Sequence, residues 1–202
     1  FSVLFQADGI SVSIPLLNEQ AGNSAFFNTT PDFDNIIRGS PLIWTLGPQR
    51  YYPSLALEAL RMHRGVSQVG IEYDRNGVAC LRLRDLRIPT DSAGRIVVNF
   101  RTPIATRAER TGFLSFPARS AADVLGGRFP PDAFRNKIVF IGTSAVGLKD
   151  MRATPLTPDF SGVEVHATVV DNILAGDMLL NPRWSRTVNV AAILVMGVFL
   201  TF

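Results

Sequence analysis

Residues 143–154 bring together most of the side chains that could do chemistry at one place. They follow the apolar, β-branched run KIVFI at residues 137–141, which is typical of a strand buried on both faces. Open α/β sheets bind ligands in the polar loops that leave such strands. We therefore predict a ligand-binding or signalling site that consists of Thr143, Ser144, Lys149, Asp150, Arg152, Thr154 and, from the next helix, His166.

Two catalytic templates each fail in this loop at one position. Gly142 and Gly147 have the spacing of a phosphate-cradling loop, but Leu148 stands where that loop needs a lysine. A nucleophile elbow centred on Ser144 needs a glycine two residues later, and the residue there is Val146. The loop therefore predicts neither nucleotide hydrolysis nor a serine nucleophile.

His166 has poorly placed neighbours for catalysis or metal binding. Ser144, Asp150 and His166 follow the hydrolase order, but Asp150 and His166 are too close in sequence for an intervening fold to position them. Glu164 and His166 are two residues apart, so they face different sides of a helix and cannot reach one ion. We expect no catalytic residue, no cofactor and no metal in this chain.

The helix that carries His166 begins near Gly162 and has one packed stripe. The stripe contains Val163, His166, Ala167, Val170, Ile173 and Leu174. A histidine on such a stripe is typically buried and hydrogen-bonded, and we expect its partner to be Thr154 or Asp150.

Upstream of these elements, short apolar alternations indicate strands. They lie at residues 10–16, 24–29 and 36–44. Residues 31–35 (PDFDN) favour a turn, because Asp and Asn side chains bond the local backbone. Asp32 and Asp34 also resemble the start of a calcium loop, but the other ligands and the central glycine of that loop do not follow.

The middle of the chain predicts a helix followed by a three-strand antiparallel meander. Pro53 suits the first helical position of residues 53–62, and Gly65 stands just past the end. Alternating runs between residues 69 and 99 are separated by Asn-Gly and Asp/Ser/Gly clusters, which are strong hairpin signals. One solvated face of these strands is expected to carry Arg82, Arg84 and Arg87.

The next stretch predicts a loop and a short helix. Residues 101–117 lack periodicity, so we expect a surface loop of about 15 residues, long enough to suspect a binding role. Ser120 is expected to cap a helix at AADVL, which Gly126 and Gly127 end. The strand at residues 137–141 follows.

The last residues are uniformly apolar. No charge occurs in VNVAAILVMGVFLTF, residues 188–202, whereas a membrane-spanning helix needs about 20 apolar residues. The run is either the start of a transmembrane helix or a buried core helix. Arg183, Trp184 and Arg186 stand where interfacial anchors would, so we favour the start of a membrane span.

Composition excludes some functions. The chain has 202 residues, enough for one domain, and its formal charge is +3 without a cationic tract. Nucleic-acid binding is not expected, because it needs a clustered basic face. The single cysteine, Cys80, can form no intrachain disulfide and reads as a small apolar strand residue.

Several of these segments resemble the CHASE2 domain family. The matching runs are FFNTTPDFDNIIRGSPL, PSLALEAL, RIPTDSAGRIVVNFR, SAADVL, KIVFIGTSAVGLKDMRATPL, GVEVHATVVDNIL and LLNPRW, in the family's order. Asn35 departs from the pattern, since a glycine is usual there. The resemblance covers residues 26–184, and the family normally begins with a transmembrane helix and further soluble residues that precede this chain's start.

The resemblance implies an extracytoplasmic sensor domain in residues 1–184, with its N-terminal part missing, and a transmembrane helix that starts in residues 187–202. The expected fold is mixed α/β, with a central mixed sheet, β-hairpins and packed helices. The expected function is sensory input to a bacterial receptor, passed to a cytoplasmic output such as a nucleotide cyclase or a kinase, with an adenylate or guanylate cyclase favoured over a histidine or serine/threonine kinase. The alternative is a structural dimerisation module without ligand sensing.

The resemblance also implies the partners and the location. The domain would lie on the periplasmic or extracellular side of the plasma membrane and would receive a small-molecule or protein signal. It would be anchored by its C-terminal helix and would form a homodimer within the full-length protein. This chain itself would not be an enzyme, whereas the full-length protein would be one.

Overall fold

The chain alternates short strands with helices, and a computed structural model describes residues 4–48, 50–101, 115–143, 150–180 and 185–201. The elements are β1 (Gln6–Ala7), α1 (Pro15–Ala21), β2 (Gly39–Pro41), β3 (Ile43–Leu46), β4 (Arg50–Pro53), α2 (Leu55–His63), β5 (Gly70–Asp74), β6 (Gly77–Leu83), β7 (Leu86–Pro89), β8 (Arg95–Val97), α3 (Ala121–Leu125), β9 (Met151–Arg152), β10 (Phe160–Ser161), α4 (Gly162–Ala175) and α5 (Ser185–Thr201). The mixed α/β class is confirmed.

The strands form several small sheets. β3 lies between β1, which is parallel to it, and β4, which is antiparallel. β5, β6 and β7 form an antiparallel meander. The remaining strands pair in twos, β2 with β8 and β9 with β10, both antiparallel. The first of these pairs joins distant parts of the chain, and it brings residues 39–41 beside residues 95–97.

Helices α2 and α4 share one hydrophobic core. Leu57 and Leu60 of α2 are fully buried, as is Val169 of α4, and all three belong to the same packed cluster. The meander and β8 contribute further buried side chains to it, among them Val78, Leu81, Leu83, Ile88 and Ile96. Burial of apolar surface is the main stabilising term in such a domain, so this contact fixes α4 against the rest of the fold.

The start of α2 differs by two residues from the predicted one. Pro53 ends β4, and Ser54 is the residue that caps the helix. The Oγ of Ser54 accepts a hydrogen bond from the backbone N–H of Leu57 at 3.2 Å, which satisfies one of the free donors of the first turn. A side-chain cap therefore determines where this helix begins.

The meander is confirmed, but its strands are not the predicted three. The predicted strand over residues 77–88 is split by a turn at Arg84, whose φ is 59°. The third predicted strand leaves the meander as β8 and pairs with β2. Arg82 and Arg87 face solvent as expected, and both form ion pairs with Glu72 of β5. Arg84 lies in the turn instead.

Two of the three predicted N-terminal strands are wrong. Residues 10–14 are not a strand, and helix α1 begins at Pro15 with its apolar side chains exposed. Residues 24–29 contribute only an isolated parallel bridge between Phe26 and Ser54. The run at residues 36–44 does form strands, but it is divided between β2 and β3 at Leu42. Alternation alone could not show which partners these segments find.

The turn at residues 31–35 is confirmed. The backbone N–H of Asn35 donates to the carbonyl of Asp32 at 2.9 Å, and Asn35 has a φ of 63°, which explains why a glycine would suit that position. Arg38 forms ion pairs with both Asp32 and Asp34. The two carboxylates therefore hold an arginine of their own turn.

The strand predicted at residues 137–141 is wrong. These residues form no strand, although Ile138 and Phe140 pack against the core. Val139 and Ile141 point outward, with 54% and 92% of their surface exposed. The segment is thus buried on one face only, and within the described residues no neighbouring strand pairs with it.

Helix α3 is confirmed at residues 121–125, after Ser120. Ser120 is its N-cap by position, without a side-chain hydrogen bond. Most of the loop predicted at residues 101–117 lies outside the described residues; Arg101 and the end of the loop from Ser115 onward lie within them.

Helix α5 is the apolar helix predicted at the end of the chain. It has 17 residues, from Ser185 to Thr201. Within the described part of the chain, no helix is both long and apolar enough to cross a membrane. The expected anchors Arg183 and Trp184, together with the Arg186 side chain, lie outside the described residues. That α5 begins a membrane span therefore stays a prediction.

Candidate signalling site around helix α4

Helix α4 is positioned by tight contacts at its first turn. It begins at Gly162, directly after β10, and ends at Gly176, which has a left-handed φ of 69°. The backbone N–H of Gly162 donates to the Asp150 carbonyl at 2.7 Å, and the Asp150 carboxylate lies close beside Gly162. A Cβ on Gly142 would lie 2.7 Å from the Val163 side chain, so a larger residue there would force a shift. Asp150 of the predicted site and Gly142 just before it thus pack on the start of α4.

The structure places five of the seven predicted site residues. Asp150 lies against Gly162, and its Oδ1 is 2.6 Å from a guanidinium nitrogen of Arg152. Thr154 is buried but bonds Thr157, with its Oγ1 donating to the Thr157 carbonyl at 3.0 Å. Thr143 is exposed. Ser144 and Lys149 lie outside the described residues.

His166 is buried, as predicted, but its partner is not the predicted one. The ring is 4% exposed, and Nε2 lies 3.1 Å from the backbone carbonyl of Phe27 rather than from Thr154 or Asp150. A carbonyl only accepts, so Nε2 carries the proton. Nδ1 is buried without a hydrogen-bond partner in the described structure. Burial lowers the pKa of His166, opposed by the Phe27 bond and the negative charge of Asp150.

The lowered pKa of His166 predicts a pH-dependent stability. Below about pH 6.5 the imidazole takes up a proton in the unfolded chain but resists it in the folded one. The free energy of unfolding therefore decreases as the pH is lowered, by at most about 1.4 kcal/mol per pH unit. His166→Gln keeps a donor for Phe27 and removes this titration. Urea unfolding between about pH 7 and pH 5.5 should therefore show a smaller loss in the variant.

The other histidine and all the carboxylates are common to both proteins, so their titration cancels in the comparison. Equal losses in His166→Gln and the unsubstituted chain would contradict the assignment of a buried neutral imidazole.

A buried polar stripe runs along α4, and sequence reasoning missed it. Glu164, Thr168 and Asn172 are four residues apart, and each is at most 3% exposed. The Glu164 carboxylate accepts a hydrogen bond from the backbone N–H of Ser115 at 2.8 Å. The Oγ1 of Thr168 donates to the Glu164 carbonyl at 2.7 Å. Their i, i+4 spacing within an otherwise apolar face was the available signal.

Asn172 joins α4 to the end of the β8 strand. Its Oδ1 accepts from the backbone N–H of Asn99 at 2.8 Å, and its Nδ2 donates to the Asn99 carbonyl at 3.1 Å. The side chain amide thus replaces a neighbouring strand for that residue. Because Asn172 is fully buried, no water can substitute for these bonds without a structural change.

Arg101, two residues after Asn99, connects this segment to the end of α4 and to Asp177 just beyond it. Its Nε donates to Asp171 at 2.8 Å, and a terminal nitrogen donates to Asp177 at 2.6 Å. Asn99 Nδ2 donates to the Asp177 carbonyl, and Leu179 forms an antiparallel bridge with Val97. We call Val97, Asn99, Arg101, Asp177 and Leu179 the exit clamp. It holds residues 177–179, which follow α4.

Bonding to Asp177 and Asp171 raises the pKa of Arg101, so the exit clamp keeps its positive charge. The sequence placed Arg101 at the start of a surface loop. Its partners lie seventy or more residues further along the chain, where no local pattern points to them.

The arrangement has no catalytic geometry in the described residues. No group of three or more His, Cys, Asp or Glu side chains there could hold a metal ion. What it does provide is a continuous connection from Asp150 at the start of α4, along the buried stripe, to the exit clamp at the other end.

Comparison with known proteins gives one family. A family model described as the CHASE2 domain matches residues 3–201, which is nearly the whole chain. Neither the comparison with curated proteins nor that with solved structures gave a match.

Proposed function

This chain belongs to the CHASE2 domain family, whose members are extracellular sensory domains, and we propose that it is the input domain of a bacterial transmembrane receptor. In this proposal a signal received outside the cytoplasm changes the conformation or the pairing of the domain. The change passes through α4 and the exit clamp into α5. The output is a cytoplasmic nucleotide cyclase or, less in keeping with the resemblance, a kinase.

One observation carries this proposal: α4 has polar contacts with other parts of the chain at its start, along its length and just beyond its end. The backbone N–H of Gly162 donates to the Asp150 carbonyl at 2.7 Å, the stripe is buried, and Arg101 bonds both Asp171 of α4 and Asp177 after it. Rigid elements with such paired contacts can transmit a small displacement because packed interfaces move between discrete arrangements. Asp150, Arg152 and His166 are the residues through which a signal would first act on α4.

The character of α5 supports a membrane anchor. Its large apolar side chains are exposed on every side: Val188, Val190, Ile193, Leu194, Val195, Met196, Val198, Phe199 and Leu200 are all more than half exposed. A helix that is apolar all round is stable in lipid or in a protein core. We propose that α5 is the first part of a membrane span, with residues 1–184 on the periplasmic side.

A structural assembly module is the second candidate. The exposed Val139 and Ile141 are large apolar side chains in a segment that pairs with no strand in the described residues, and a second chain could cover them. In this case the domain would hold a receptor dimer together without sensing a ligand.

Ligand-dependent stabilisation separates the two candidates. We expect at least one compound from a panel of neutral sugars, amino acids, nucleotides and divalent cations to raise the melting temperature of the purified full-length protein. A ligand that binds only the folded state at 100 times its Kd stabilises by about 2.7 kcal/mol, a readily measured shift. A tight dimer whose melting temperature no compound changes would favour assembly instead.

A further inference from the structure

A cavity of about 480 Å³ opens at the outer side of α2, away from the residues around α4. Its walls come from β4, α2, the segment before β5 and the chain after α1. Small-molecule sites in proteins have volumes of about 300–1,000 Å³, so the cavity is large enough for a compact ligand.

The cavity has an apolar side and a polar side. Its accessible apolar side comes from half-buried residues such as Val69 and Ile71, because Ile43 and Leu57 behind them are only 4% and 0% exposed. Tyr51 stands at its rim and is 46% exposed. Its aromatic ring offers a flat apolar surface to a ligand.

The polar side is neutral overall because its two charges are bound to each other. Arg61 donates to both carboxylate oxygens of Glu58, through Nε at 2.8 Å and through a terminal nitrogen at 2.6 Å. The guanidinium also bonds the Val66 carbonyl and Asn23 Oδ1. Each oxygen of Glu58 still has a lone pair free to accept a hydrogen bond.

We propose that this cavity binds a small neutral ligand that carries several hydroxyl groups, such as a mono- or disaccharide. Planar polar side chains line it, namely Asn23, Glu58, Arg61 and Gln68. The Glu58 oxygens supply acceptors, and the exposed Gln68 amide supplies both a donor and an acceptor. Such groups match neighbouring hydroxyls, and Tyr51 would cover an apolar face of the ring. A charged ligand would compete for one partner of the Glu58–Arg61 ion pair. The other partner would then stay buried without its counter-charge, which is unfavourable.

The position of the cavity links it to the proposed sensory function, on which its physiological role rests. Helix α2 lines the cavity with Glu58 and Arg61, and its Leu60 packs in one cluster with Val169 of α4. A ligand that moves α2 therefore changes the surface against which α4 packs. Asp150 and His166 would then respond to the ligand without touching it.

The test uses glucose, maltose and, as a charged comparison, glutamate with the full-length protein. We expect one of the sugars to bind, seen by calorimetry and by a raised melting temperature, and glutamate not to bind. Tyr51→Ala and Gln68→Ala should each weaken sugar binding by about tenfold or more. Arg50→Ala, an exposed neighbour on β4 outside the cavity, should bind like the unsubstituted protein.

Gln68 is exposed, so its variant keeps the test valid if Tyr51→Ala does not fold. The proposal is overturned if neither sugar binds at millimolar concentration, if only glutamate binds, or if sugar affinity is equal in all variants. A different compound that stabilises the unsubstituted protein and both cavity variants alike would leave the sensory function standing and reject this cavity as its site.

Discussion

Asn172→Ala lowers the free energy of unfolding by about 2–4 kcal/mol, because two backbone groups of Asn99 lose their buried partner. A buried N–H or carbonyl without a partner costs about 1–3 kcal/mol, and alanine supplies neither a donor nor an acceptor. The substitution also leaves a small void against the core. Urea unfolding followed by circular dichroism measures the change.

The matched control lies on the outer face of the same helix. Leu174 is 46% exposed, so Leu174→Ala should cost well under half as much as Asn172→Ala. If both variants lost the same stability, the hydrogen bonds between Asn172 and Asn99 would contribute no more to the free energy of unfolding than an ordinary helix side chain does. A loss below about 0.5 kcal/mol for Asn172→Ala would contradict the account directly.

Arg101→Gln changes the output of the full-length receptor several-fold while it leaves the fold nearly as stable. Its side chain is 31% exposed, and ion pairs at such positions contribute less than about 1 kcal/mol. The same change releases Asp171 on α4 and Asp177 beyond it, so the exit clamp loses its only cation in the described residues. Cyclic-nucleotide formation or phosphate transfer in membranes measures the output.

Arg128→Gln is the matched control, because it also breaks an arginine–aspartate pair. That pair joins Arg128 to Asp123 of α3, and the Arg128 side chain is 74% exposed. We expect no change in output from it. An unchanged output in Arg101→Gln, at equal protein level, would mean that the exit clamp is structural only.

Local signals in the sequence predicted three of the helices, although α1 lies where a strand was expected. The positions of α2, α3 and α4 were predicted to within about two residues, because a helix is stabilised by contacts between near neighbours. The burial of His166 also followed from its place on the predicted packed face of α4, among apolar residues. These properties depend on residues within one or two turns.

Strand pairing could not be predicted in the same way. β8 pairs with β2 across more than fifty residues, and the alternation in residues 95–99 fits either that pairing or the meander. The run at residues 137–141 has the composition of a doubly buried strand, yet Ile141 is 92% exposed. The composition of a segment shows that it can be buried, but it does not show which other segment packs on it.

The structure shows where five of the predicted site residues lie, and their role in binding or signalling stays a prediction. Asp150 and Arg152 do meet at the start of α4, but Thr154 bonds within its own turn and the partner of His166 is a carbonyl in the distant segment at Phe27. Glu164 was considered only as a metal ligand. Its contact with Ser115 depends on tertiary packing, which spacing along one helix does not reveal.

A reversible disulfide across the exit clamp tests whether a displacement of α4 reaches α5 through the clamp. Val97 and Leu179 are opposite each other in an antiparallel bridge, where Cα atoms are about 4.5–5.5 Å apart and a disulfide can form. Both would be replaced by cysteine in the full-length protein with Cys80→Ser, which removes the one native thiol of this chain. Output is then measured in membranes before and after reduction.

We predict that the oxidised double variant has an output several-fold different from the reduced one, while the output of each single cysteine variant does not change with reductant. Equal output in the locked and unlocked states, with the disulfide shown to be fully formed, would contradict transmission from α4 through the exit clamp to α5.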